Sequence, residues 1–262
     1  MSTRITQRPT SAEMAWATTW TVEHFGPASS TLPFTFQYDG RASADLLGGW
    51  TRAADSEERD GPCTRRTLTW TDPATGLEVR CALIAYHDYP ALEWMLWFRD
   101  AGPADSPVLS DILALDARLD VRPADGGFTL HHFAGGFAEA SAYQPCSTAM
   151  GPGDQRSFSA AGGRPTNKEM PYFNLEGRGE GAIAVVGWPG QWSARFRNDE
   201  ATGMRIAAGQ ERTHLRLHPG DEVRTPLIVL QFWKGGRQHQ LCHEVTRTRR
   251  RSFNFLLFQE PL

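Results

Sequence analysis

The chain is short of three things: net charge, cysteine pairs and long apolar runs. A formal charge of -3 over 262 residues provides no general attraction to nucleic acid or to an anionic membrane surface, so neither is expected as a partner. Four cysteines, Cys63, Cys81, Cys146 and Cys242, lie far apart with no CxxC pair. They read as free thiols of a reducing compartment, not as a disulfide framework or a zinc site. No segment approaches the roughly 20 apolar residues of a membrane span. The opening MSTRITQRPTSAEM lacks the apolar core of a secretory signal, and a cytoplasmic location is expected. No GxGxxG, Walker loop, GxSxG or HExxH phrase occurs, which removes the common motif-borne routes to nucleotide binding, serine hydrolysis and zinc hydrolysis. No cofactor and no metal is expected.

What the chain has is 25 glycines, 17 prolines and nine tryptophans. Turn formers between short aromatic runs predict many strands joined by tight corners. Residues 15–25 read as a strand, because threonine and tryptophan both suit a pleated surface. Leu32, Phe34, Phe36 and Tyr38 keep a period of two. Residues 51–62 read as a charged loop. Segments 65–71 and 77–86 form a hairpin closed by Asp72-Pro73-Ala74-Thr75-Gly76. Trp94 and Trp97 in strand 92–98 point to opposite faces, so protein should cover both, as in a sandwich. Segment 108–121 reads as one long strand with Leu113, Leu115, Leu119 and Val121 in step, and 128–133 as another. Regularity fails between 134 and 174, where a long loop suggests function. Segments 204–207, 212–217 and 223–232 are further strands, with HPGDE (218–222) turning between the last two. No repeat and no clean linker appears, which makes one domain.

Candidate chemistry is thin. Adjacent strand residues face opposite ways, so His131 and His132 cannot chelate one ion together. His214 and His218 straddle a strand end. If a histidine acid and a carboxylate base act on a sugar ring, His131 or His214 with Glu211 are the pairings to try. His239, Cys242 and His243 could sit on one helical turn but lack the second cluster of a structural zinc site. Asp39, Asp45, Asp111, Asp116, Asp199 and Glu211 are scattered, and their spacing selects no pair for glycoside hydrolysis. Arg247-Thr248-Arg249-Arg250-Arg251 is a basic run, read as a solvated tail.

The clearest phrase is GWPGQW at 187–192. GAIAVV (181–186) reads as a buried strand, Trp188-Pro189-Gly190 as the turn of a hairpin, and 191–196 as its second arm. That arm puts Trp192, Ala194 and Phe196 on one face and Gln191, Ser193 and Arg195 on the other. Two indoles beside an amide and a guanidinium could stack on and hydrogen-bond a sugar. The commoner fate of such rings is the core.

Taken in order, LPFTFQYDGRASADLLGGW (32–50), GRPTNKEMPYFNLE (163–176), AIAVVGWPGQW (182–192) and THLRLHPGDEVRTPLIVLQFW (213–233) resemble the N-terminal region of family 36-type α-galactosidases (melibiases). The resemblance implies an all-β fold, a β-supersandwich of the galactose mutarotase-like kind with two large packed antiparallel sheets, over residues 15–234. Residues 1–14 would be an N-terminal tail and 235–262 an atypical C-terminal one. In that family the domain precedes a (β/α)8 barrel whose two catalytic aspartates, one in a Lys-Trp-Asp phrase, do the chemistry. No such phrase occurs here and no βα alternation follows Trp233, so the resemblance implies no catalytic residue in this chain. A truncated or frame-shifted gene end, or a fragment, would explain RTRRRSFNFLLF after the last strand. The implied partners are the barrel or a second copy, and α-galactoside sugars. Arg164, Asn167, Trp188, Gln191 and Trp192 are the candidate sugar contacts, with Pro165-Thr166 standing where the family has two serines.

Overall fold

The computed structural model describes residues 8–27, 29, 31–121, 127–136, 142–199 and 203–235. Two antiparallel sheets face each other. The larger has eleven strands, ordered Pro145–Met150, Phe128–Phe133, Tyr172–Glu176, Glu180–Gly187, Leu227–Lys234, Ala91–Asp100, Leu77–Tyr86, Cys63–Thr71 and Thr51–Arg52. Glu222–Arg224 adds beside Ala91–Asp100, and Ser56–Asp60 beside Cys63–Thr71. The smaller has seven, ordered Gln155–Ser159, Trp192–Asn198, Met204–Gln210, Leu109–Leu119, Thr35–Tyr38 and Arg41–Ala42, with His214–Leu215 on Leu109–Leu119. This is the all-β sandwich expected from the turn-rich, aromatic sequence.

The alternation of side chains builds the core. Leu77, Val79, Cys81 and Leu83 are all buried and share one face of their strand. They meet Phe34, Phe36, Trp192 and Phe196 from the opposite sheet in one continuous cluster. Trp94 is fully buried, and its indole N–H crosses between the layers to the carbonyl of Ala114 at 2.8 Å. Trp97, on the other face, is covered by the Arg80 guanidinium 4.5 Å from its ring centroid. Gly181 is where two backbones and a ring crowd together. A Cβ there would run into the Leu175 carbonyl and the Trp233 indole.

Several expectations are corrected. Residues 11–25 form a helix, α1 (Ser11–Phe25), instead of a strand, and it begins inside the segment expected to be a tail. Thr10 and Glu13 make a reciprocal capping box. The Thr10 hydroxyl accepts from the Glu13 N–H at 3.2 Å, and the Glu13 carboxylate accepts from the Thr10 N–H at 2.7 Å. That closes the helix start against the strand preference of its threonines. The hydroxyls of Thr18 and Thr21 bond back to the carbonyls of Met14 and Ala17. Ala17, Trp20 and Phe25 are buried, and the Trp20 and Phe25 rings pack on Trp94 at 5.8 and 5.5 Å. Buried Glu13 also accepts the Lys234 N–H at 2.8 Å, tying the helix to the last strand of the larger sheet.

Residues 51–52 and 56–60 are strands, and so are 145–150 and 155–159 within the stretch read as irregular. A shift of register at Ala208/Gly209 opposite Leu113 and Leu115 marks a bulge. It places Ile112 and Ala114 inside before Leu115 resumes the inward series, whereas Leu113 is only half-buried. The 187–192 phrase is not a hairpin. Glu180–Gly187 pairs only within the larger sheet and Trp192–Asn198 only within the smaller, so Trp188-Pro189-Gly190 carries the chain across the sandwich. His239, Cys242, His243 and the 247–251 run lie outside the described residues.

Candidate functional site

The crossing at 188–191 and the loop at 160–169, far apart in sequence, meet at one end of the sandwich. Gly162 and Gly163 take positive φ values of 61 and 70° in succession, a left-handed step that favours glycine strongly. The loop then folds on itself, with the Ala161 N–H bonded to the Asn167 carbonyl at 3.0 Å and the Arg164 N–H to the Ala161 carbonyl at 3.2 Å. Its far side joins the end of the Phe128–Phe133 strand, through N–H groups of Gly135 and Gly136 on the carbonyls of Lys168 and Thr166.

The candidate sugar contacts have structural roles here. Trp192 is fully buried and gives its indole N–H to the Pro165 carbonyl at 2.7 Å. Its ring meets Phe173 edge-on at 5.8 Å. It is a core residue that presents no face for a sugar to stack on. The Gln191 side chain accepts the Gly163 N–H at 2.9 Å and donates to the Ala160 carbonyl. The Asn167 amide donates to the Ala161 carbonyl at 3.2 Å. Trp188 is half-buried against the core, with the Arg224 guanidinium 5.6 Å above its ring. Arg164 stands exposed at the loop tip. The structure thus brings the five together and uses most of their polar atoms to hold backbone. Two exposed aromatics, Phe133 at 42% and Tyr143 at 73%, flank the same loop. Sequence reasoning passed over them because neither sits in a recognisable phrase.

The carboxylates sort by location. Asp39 and Asp45 line a recess of about 360 Å³. Asp116 and Asp199 line a separate cleft of about 970 Å³ that also reaches Trp50, Trp70 and His24. Both are ion-paired. Asp116 accepts two bonds from the Arg205 fork at 2.9 and 3.0 Å and one from the Thr35 hydroxyl at 2.9 Å. This pairing raises the already high pKa of Arg205. Asp199 accepts the Gly203 N–H at 3.0 Å and pairs with Arg118. Each carboxylate is thereby held in one orientation with its charge offset by a guanidinium.

The histidines do not form the pairings expected from the sequence. His131 meets Glu176 at 2.6 Å through Nε2 and the Ser147 hydroxyl at 2.8 Å through Nδ1. No hydrogen bond joins Glu211 to either candidate histidine among the described residues, and His214 belongs to the other sheet. The Glu176 partnership depends on the register of strands 128–133 and 172–176, which places Asn174 opposite His131. His132 lies against the Phe158 ring at 4.7 Å. Burial lowers its pKa, with Glu169 opposing that shift. Cys63 and Cys81 are buried free thiols and Cys146 is a half-buried one. Burial pushes the Cys81 thiol far up, which leaves it unreactive. Among the described residues no helix is long and apolar enough to cross a membrane.

No family model matches this chain, and no curated protein matches it. Solved structures do. The α-galactosidase from Lactobacillus brevis aligns with a TM-score of 0.61 at 16% identity, covering 79% of this chain and 29% of that one. The GH36 α-galactosidase AgaA from Geobacillus stearothermophilus aligns at 0.58 and 14%, covering 79% and 30%. The galactosidase domain of the α-galactosidase-sucrose kinase AgaSK aligns at 0.58 and 15%, covering 81% and 31%. At such identities the likeness is one of fold, and the family resemblance read from the motifs holds at that level. The chain is built like a part, about 30% of the length, of a GH36 α-galactosidase.

Proposed function

We propose that this chain is a non-catalytic β-supersandwich of an α-galactosidase-like glycoside hydrolase, whose work is to pack on a (β/α)8 catalytic domain and shape one wall of its sugar pocket. One observation carries the reading: four-fifths of this fold coincides with under a third of each matched α-galactosidase. The engagement of Asp116 by Arg205 and of Asp199 by Arg118 agrees with it, since both carboxylates already serve structural ion pairs. The 160–169 loop is the part proposed to meet the barrel. It is a braced shape with Arg164 at its tip and with Phe133 and Tyr143 beside it, apolar surface that a partner domain would cover. The sugar is proposed to be an α-galactoside reached through Arg164 and the rim of Trp188. The test is turnover of a nitrophenyl α-galactoside by the purified chain, with none expected. Robust turnover abolished by a single carboxylate substitution would overturn the reading.

A stand-alone mutarotase or epimerase is the second reading, favoured by the His131–Glu176 pair. Ring opening needs an acid and a base on separate atoms of the sugar, whereas these two groups are bonded to each other. Polarimetry of galactose anomers decides it. Interconversion above the buffer rate that is lost in Glu176→Gln would establish this reading in place of the first.

A further inference from the structure

The outer face of the seven-stranded sheet carries an arrangement that folding alone does not favour. The pairing register sets Arg197 opposite Arg205 and Arg205 opposite Arg118, so three guanidinium side chains stand in one row across adjacent strands. Directly opposed Cα atoms lie only about 4.5–5.5 Å apart, and like charges so placed repel. Arg195 stands on the same face, two residues before Arg197.

The local counter-charges cover part of this row. Asp116 takes Arg205, and Asp199 and Asp120 take Arg118. Arg195 and Arg197 are exposed and have neither an ion pair nor a side-chain hydrogen bond among the described residues. Two residues along a strand span about 7 Å, so two guanidinium forks at that spacing can close on one tetrahedral dianion. A single carboxylate would engage one fork only. The ground between them is low, with Ser157 and Ser193 beside Arg195 and Ala207 opposite it. Arg118, Arg197 and Arg205 also wall the 970 Å³ cleft that runs to Trp50 and Trp70, leaving room next to the cations for the body of a ligand.

We propose that this face is a phosphate-binding site: Arg195 and Arg197, whose charges no carboxylate among the described residues offsets, take the phosphoryl group of a small phosphate ester. Asp116 and Asp199 act as positioning residues that hold Arg205 and Arg118 upright. The site lies on a different sheet face from the 160–169 loop and does not depend on the galactosidase reading.

The experiment uses the full chain and titrates inorganic phosphate and pyrophosphate at fixed ionic strength, read by calorimetry and by the unfolding temperature, with acetate as the single-carboxylate arm. Saturable binding of phosphate, tighter for pyrophosphate and absent for acetate, is expected. The double variant R195Q/R197Q should weaken it by about tenfold or more, as loss of charge-assisted forks requires. R52Q, in the same cleft but off the row, should leave it unchanged. Without added anion, R197Q should melt no lower than the parent, because it relieves repulsion. Absence of saturable binding at constant ionic strength, equal binding by R195Q/R197Q, or acetate binding as well as phosphate would each overturn the proposal.

Discussion

Trp192→Ala distinguishes a core tryptophan from a sugar platform. A buried indole removes about 150–250 Å² from water, which at about 25 cal/mol per Å² is roughly 4–6 kcal/mol of transfer free energy. Partial collapse of the cavity recovers some of it, and measured Trp→Ala changes in cores cost about 3–5 kcal/mol. The Pro165 carbonyl would also lose its 2.7 Å donor, worth about 1 kcal/mol. A domain is stable by only about 5–15 kcal/mol, so the variant should melt on the order of 10 °C lower and populate unfolded chain in mild urea. Trp192→Phe keeps most of the ring and loses the N–H. It should cost roughly 1–2 kcal/mol and speed hydrogen exchange at Ala161 and Asn167, whose amides close the 160–169 loop. Urea unfolding followed by far-UV circular dichroism, with exchange by mass spectrometry, reads both. An unchanged midpoint in Trp192→Ala, with galactose binding lost, would refute the core assignment.

Three further outcomes follow from the same geometry. Thr10→Ala removes one half of the capping box and should cost about 1 kcal/mol, with the exchange of α1 rising while the sheets stay protected. Gly181→Ala should cost about 1–3 kcal/mol by overpacking against Leu175 and Trp233, read as a lower urea midpoint, whereas Gly40→Ala, open to solvent, should be felt only through its positive φ. His132 is held below the ordinary 6.5 by burial, so its neutral form is the one the fold favours. That contribution is complete above the unfolded pKa and is lost as pH falls through the folded one. Stability measured from pH 7 down to 5 should therefore fall less steeply in His132→Gln than in the parent.

The sequence was legible wherever the signal is local. Period-two runs such as Leu77, Val79, Cys81 and Leu83 place their own buried face, and the turn chemistry of Asp72–Gly76 closes its own hairpin. The helix was legible too, since TSAE at 10–13 is a capping box and 13, 17 and 20 keep helical spacing. Threonine-rich composition concealed it, because propensity is weaker than a cap plus a buried face. Two features needed pairing information that no window of sequence holds. One is the Leu113 bulge, which depends on the partner strand. The other is the switch of sheets at 188–190, since a turn sequence does not say whether the next strand pairs with the last. The His131–Glu176 contact and the arginine row belong to that second kind. Each is created by register between strands distant in the chain.

The same distinction bears on function. At the 160–169 loop, side chains that could greet a sugar are turned inward: Gln191, Asn167 and Trp192 all hold the loop's backbone. A loop stiffened by its own polar groups loses little entropy when a neighbour packs on it, which suits a wall whose shape matters more than its reactivity. On the outer face of the smaller sheet the economy is reversed. Arg195 and Arg197 extend into solvent, repelled by neighbours and holding no backbone, so their arrangement costs stability that no contact within the described fold returns. Groups that stabilise the chain belong to the scaffold, and groups that burden it are where a ligand should be sought. That is why the arginine row, and not the tryptophan corner, is the place to look for a small anion on this protein.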